Sequence, residues 1–147
     1  VILAEIGSTA YDIMLLLHVL AVIVAFAPAW MTPVLMRVAA SGDRGATEAL
    51  EMSIVRFSLP ALALAGILGF GLAGMSDDVY EMSQGWLAAS IVLWLGLIGV
   101  IWFVTRPGIK AFQAGDTAAR GKVMAGTGIA HLVLLVMLYL MIFKPGL

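Results

Sequence analysis

The sequence predicts an all-α membrane protein, a four-transmembrane-helix antiparallel bundle forming one membrane domain over residues 1–147. Three observations carry this prediction. Apolar residues fill 63% of the 147 positions and charged residues only 12%, against roughly 45–50% and about 25% in soluble domains. Mean hydropathy is +1.08, and a soluble chain this short could not bury so much apolar surface in one core. The apolar residues also gather into four runs, each long enough for the ~20 helical residues that cross a ~30 Å hydrocarbon layer.

The first run spans about 11–36, with Asp12 counted outside it and Arg37 closing it. Pro28 and Pro33 predict a kink toward the Arg37 end. Residues 39–53 (AASGDRGATEALEMS) predict a short turn and then a polar extension of the second helix. Thr47, Glu48 and Glu51 suit a helix start there, because acids favour the positive end of the helix dipole. The second run spans 57–75, with Pro60 in its first turns, the third 86–105 and the fourth 123–143. Strands are excluded, since isolated hairpins of this length would leave backbone groups unpaired in lipid. The first residues carry Glu5 and Asp12 but no Lys or Arg. They therefore read as part of the membrane domain and not as a secretory signal, whose n-region is basic.

Orientation follows from the basic residues. Arg37, Arg44 and Arg56 flank the connection between the first two helices, and Arg106, Lys110, Arg120 and Lys122 that between the last two. The middle connection holds only the acids Asp77, Asp78 and Glu81, and Lys144 stands alone near the end. By the positive-inside rule both termini lie outside and the two basic connections are cytoplasmic. Tyr11, Tyr80 and Trp86 then fall at the outer boundary, where amphipathic rings prefer to sit.

Composition narrows the chemistry. A net charge of −1 and a pI near 6.1 give no basic footprint for nucleic acid. The lack of cysteine removes disulfides, thiolate metal sites and thiol nucleophiles together. Inside the spans the ionisable side chains are His18 and His131, and a costly polar group at membrane depth suggests function. Ala21 and Ala25 form a small strip inward of His18, and Ala61, Ala65, Gly69 and Ala73 form another in the second helix. Such strips either pack helices closely or leave room for a flat macrocycle. Imidazole is a common axial ligand of haem iron, and bundles build cofactor sites from facing side chains. Thr127, one turn before His131, offers that histidine a local hydrogen-bond partner instead.

Register bears on the ligand pair. At ~1.5 Å per residue, His18 lies about 9 Å outward of the middle of its span and His131 about 3 Å inward of its own. That offset disfavours ligation of one iron by both, while Met137, about 6 Å outward, falls nearer the level of His18. Thioether and imidazole together also suit Cu(I), so Met14, His18 and Met137 form a candidate copper set at the outer face. Met75, Met82 and Met141 share that half, whereas Met31, Met36, Met52 and Met124 lie at the other end. Arg37, Arg56 and Arg106 are candidates to pair with haem propionates. A third reading is an accessory or structural subunit of a membrane complex, or a homo-oligomer, held by small-residue packing.

The segments LLLHVLAVIVAFAPAW, RFSLPALALAGILGFGL, SQGWLAASIVLWLGLIGVIW, RPGIKAFQAGD and IFKPGL resemble a bacterial superfamily of four-helix membrane proteins. It includes the HemJ-type protoporphyrinogen oxidases, the copper-resistance D-type proteins and a related family of predicted integral membrane proteins without assigned function, the last being nearest. The resemblance runs from His18 to Lys144. It implies a multi-pass protein of the bacterial inner (cytoplasmic) membrane that binds haem b in a redox or haem-metabolism role. His18 matches the first-helix histidine that the HemJ-type family uses near its haem, and Arg56 sits near that family's basic residue before helix two. The family's lysine after the GWL segment is absent, Trp86 and Leu87 being followed by Ala88, Ala89 and Ser90. An oxidoreductase activity of the HemJ type would therefore have to do without it.

Overall fold

A computed structural model describes residues 6–146. Four helices long and apolar enough to cross a membrane run up and down: α1 (Thr9–Ala40), α2 (Arg44–Gly74), α3 (Gly85–Gln113) and α4 (Ala119–Phe143). Each packs on its chain neighbours, and α4 returns against α1 to close the ring. The described ends of the chain thus share one end of the bundle, here the terminal end. The connections carrying Arg44 and Arg120 lie at the other, basic end. Large apolar side chains such as Ile23, Ile67, Val92, Phe103, Leu135 and Ile142 are exposed around the circumference, a surface suited to a lipid bilayer.

The helices outrun the apolar runs. α2 begins at Arg44 and not near residue 57, because Asp43 caps it, its carboxylate accepting from the N–H of Gly45 at 2.9 Å. The extension is amphipathic: Leu50 is fully buried beside Met36 and Val123, while Glu48 faces out. α3 continues past residue 105 in the same way, with Ile109 turned inward and Lys110 outward. These polar turns stand beyond the hydrocarbon span, where hydropathy alone does not find a helix.

Both Pro60 and Pro107 lie inside continuous helices, each preceded by a π turn, Ile54–Ser58 and Ile101–Thr105. A proline lacks the N–H of the helical ladder, and its ring collides with the carbonyl four residues back. The wider turn relieves this. The N–H groups of Leu59 and Arg106, just before each proline, bond five residues back to the carbonyls of Ile54 and Ile101. In α1 the helix runs unbroken through Pro28 and Pro33, and the Thr32 hydroxyl donates to the Pro28 carbonyl at 2.9 Å.

Each π turn ends on a hydroxyl residue aimed at the bundle centre. Ser58 donates to the Ala25 carbonyl across to α1, and Thr105 meets α4 at Gly126, where any side chain would strike its Oγ1. With Thr32 and Thr127 they line an interior cavity of about 30 Å³, one hydroxyl from each helix. At the terminal end Trp86 packs on Ala73 and Leu87 and meets Tyr80 edge-on at 5.5 Å. Trp86 and Tyr11 are buried, so these rings close the terminal end of the bundle.

Candidate functional site

His18 sits half-buried in the groove between α1 and α2. Its Nδ1 lies 2.9 Å from the carbonyl oxygen of Ala65, and a carbonyl can only accept. The proton therefore resides on Nδ1, and in the neutral ring Nε2 carries the free lone pair. An imidazole held this way, one N–H tied to a carbonyl, has the arrangement of metal-ligating histidines, whose orientation and tautomer are set by that second bond. Small residues make the approach possible: a Cβ at Gly69 would lie 3.3 Å from the His18 Cε1. One turn outward, the Met14 sulfur packs over Gly71 in the same groove, 2.7 Å from where a Cβ would stand. Met14 and His18 thus form a pair of soft donors on one face.

The strips of small residues are used for packing. Ala21 and Ala25 in α1 and Ala65 and Ala73 in α2 are buried, and the two backbones approach closely enough for the Ser58 and His18 bonds. This fills the space beside His18 that the sequence left open for a macrocycle. The interior cavity of about 30 Å³ is far below the roughly 300–1,000 Å³ of ligand pockets. His18 as a donor fits an axial ligand; the interior does not fit the ring. A macrocycle bonded to Nε2 would have to lie outside that interior.

His131 faces a different neighbour. Its ring lies 4.4 Å, centroid to centroid, from Trp30 of α1, and its Nε2 is buried without a partner. Thr127, expected to serve it, turns into the core and donates to the Val123 carbonyl at 2.9 Å. Trp30 is twelve residues along α1 from His18, about 18 Å by helical rise, so the two histidines do not meet. Met137 lies six residues beyond His131 and packs on the core.

The basic candidates gather elsewhere. Arg56 lies nine residues, about 14 Å, inward of Ala65, and Arg37 nineteen residues, about 28 Å, inward of His18. Arg56 and Arg106 line a second, larger cavity at the basic end, and Arg37 is exposed at the end of α1. Arg106 and Lys110 approach Glu51 at 3.8 and 3.6 Å. Sequence reasoning named Arg56 and Arg106 but not their convergence. Its one legible trace is that each arginine stands close to a hydroxyl–x–proline, Arg56 two residues before Ser58-Leu59-Pro60 and Arg106 inside Thr105-Arg106-Pro107. Among the described residues no group of three His, Asp or Glu side chains could hold a metal ion. The Ser90 hydroxyl is occupied by the Trp86 carbonyl at 2.7 Å.

In comparisons with known proteins, no family model, no curated relative and no solved structure matches this chain.

Proposed function

We propose that this chain is a haem-anchoring membrane protein in which His18 supplies a single axial ligand through Nε2. One observation carries the reading, the Nδ1–H bond of His18 to the Ala65 carbonyl, which orients the ring and leaves Nε2 as the donor. Bound there, a b-type haem would supply one-electron redox chemistry. The chain's own part is to hold the imidazole, to present Met14 one turn away, and to surround both with apolar side chains that exclude water. The resemblance to the HemJ-type and copper-resistance D-type superfamily supports the same residue. Copper handling by Met14, His18 and Met137 is the lesser reading, because methionine also serves as plain apolar filler.

A second reading rests on the filled strips between α1 and α2: an accessory or structural subunit, alone or paired with itself, without chemistry of its own. Both readings place the chain in a bacterial inner membrane with both termini outside, supported by the seven basic residues of the two connections at one end. The absorbance spectrum of the protein purified in mild detergent separates them. A Soret band that shifts on reduction supports the haem anchor. A featureless spectrum, before and after adding haemin, favours the accessory subunit.

A further inference from the structure

At the basic end, the polar extension of α2 and the last turns of α3 enclose an open cavity of about 510 Å³. Arg44, Arg56 and Arg106 line it together with Glu48 and Glu51. The positive charge is poorly matched within the protein. Glu51 is approached by both Arg106 and Lys110, at 3.8 and 3.6 Å, longer than the roughly 2.7–2.9 Å of a charge-assisted hydrogen bond. Among the described residues Arg44, Arg56 and Glu48 form no ion pair, and Nε of Arg106 is buried without any hydrogen-bond partner. A buried donor of a charged group left unpaired is costly, and guanidiniums converging on one cavity repel one another. The Arg106 guanidinium is also held in place, its central carbon 4.3 Å from the centre of the Trp102 ring. An anion with several acceptor oxygens would relieve these costs together, since guanidinium matches phosphate geometry.

The rim says which anion. Met52 and Val55 line the cavity and are exposed, and Phe57, next in the chain to Arg56, and Trp102 and Phe103, one turn before Arg106, are exposed as well, Phe103 at 76%. Polar lining thus gives way, within two helical turns, to side chains that belong in hydrocarbon. We infer that this cavity binds the phosphate of a phospholipid headgroup between Arg56 and Arg106, with Arg44 at its mouth and the acyl chains laid over Val55, Phe57 and Phe103. Basic pockets between membrane helices at the cytoplasmic side are the sort of site that takes such headgroups. Glu48, on the same wall, repels a second negative charge, so a headgroup with one phosphate fits better than one with several.

The test uses the whole protein in a lipid-free detergent micelle, read by thermal unfolding and by phosphorus retained after washing. A short-chain phosphatidylglycerol is expected to raise the melting temperature, and the washed protein to keep about one phospholipid phosphorus per chain (the one-site stoichiometry of mass-action stabilisation). Arg56→Gln, at an exposed position that leaves the fold intact, should weaken the shift at least tenfold in lipid concentration, and Lys122→Gln, exposed and outside the cavity, should leave it unchanged. Equal shifts for the parent protein and Arg56→Gln, or equal loss from Lys122→Gln, would overturn the site. A shift with inorganic phosphate as large as with the lipid would overturn the headgroup assignment, because the apolar rim would then contribute nothing.

Discussion

Replacing Gly66 with alanine probes the contact of α2 with Trp94 of α3. A Cβ there would lie 2.3, 2.6 and 2.9 Å from Cζ2, Cε2 and Cη2 of Trp94, where carbon atoms prefer about 3.5–4.0 Å. The indole cannot yield cheaply. Its Nε1–H donates to the Leu62 carbonyl at 2.9 Å, and it stands nearly perpendicular to the Phe70 ring, 6.2 Å between centroids. Forcing the ring aside costs about 1–3 kcal/mol in overpacking and about 0.5–1.5 kcal/mol for the hydrogen bond. The better helix propensity of alanine returns about 1 kcal/mol. The net expectation is a loss of about 0.5–3.5 kcal/mol, the range left by those terms. Titration with a denaturing detergent in mixed micelles, followed by far-UV circular dichroism, measures it. Gly99→Ala, where a Cβ meets nothing within 4 Å, is the control and should be neutral or slightly stabilising. In a Trp94→Leu background the alanine should cost little, giving a coupling of about 1–2 kcal/mol between the two sites. Equal effects of Gly66→Ala with and without Trp94, or equal stability of the Gly66 and Gly99 variants, would refute the packing argument.

Two further predictions concern other parts of the bundle. The chain has no cysteine, so single cysteines report sidedness cleanly: Asp77→Cys should react with an impermeant maleimide from outside intact cells, and Gly115→Cys only after the membrane is opened. The reverse pattern would invert the topology. His131→Leu removes a buried nitrogen that has no partner, an orphan worth about 1–3 kcal/mol, and should leave stability unchanged or raise it in the same detergent titration; a clear loss would mean that His131 has a polar partner in the membrane.

Much of the fold is legible in the sequence because lipid imposes a simple rule. A helix that must cross hydrocarbon shows itself as an unbroken apolar run, and all four do. The polar ends of α2 and α3 escape that rule: Leu50 and Ile109 are the few apolar residues on otherwise wetted turns, and only the packing of Met36 and Val123 shows which way they face. The π turns were legible only as a hydroxyl two residues before Pro60 and Pro107, a pattern without meaning until both prolines are seen inside helices. The small strips posed the harder question. Alanine and glycine at every fourth place signal closeness, but whether to another helix or to a ligand depends on register, and the Ser58 and His18 bonds settle it for α1 and α2. The partner of His18 lies 47 residues away and is a backbone carbonyl, which no side-chain pattern reveals. Arg56 and Arg106 came into one cavity for the same reason, through the antiparallel pairing of helices far apart in sequence.

The central claim is that one imidazole, His18, anchors a haem. It is tested most directly by titrating haemin into the parent protein, His18→Ala and His131→Ala in the same detergent and reading the Soret band of each. The account predicts saturable binding by the parent and by His131→Ala, and loss of most of it in His18→Ala, because apolar packing cannot replace the iron–imidazole bond. Undiminished binding by His18→Ala would contradict it.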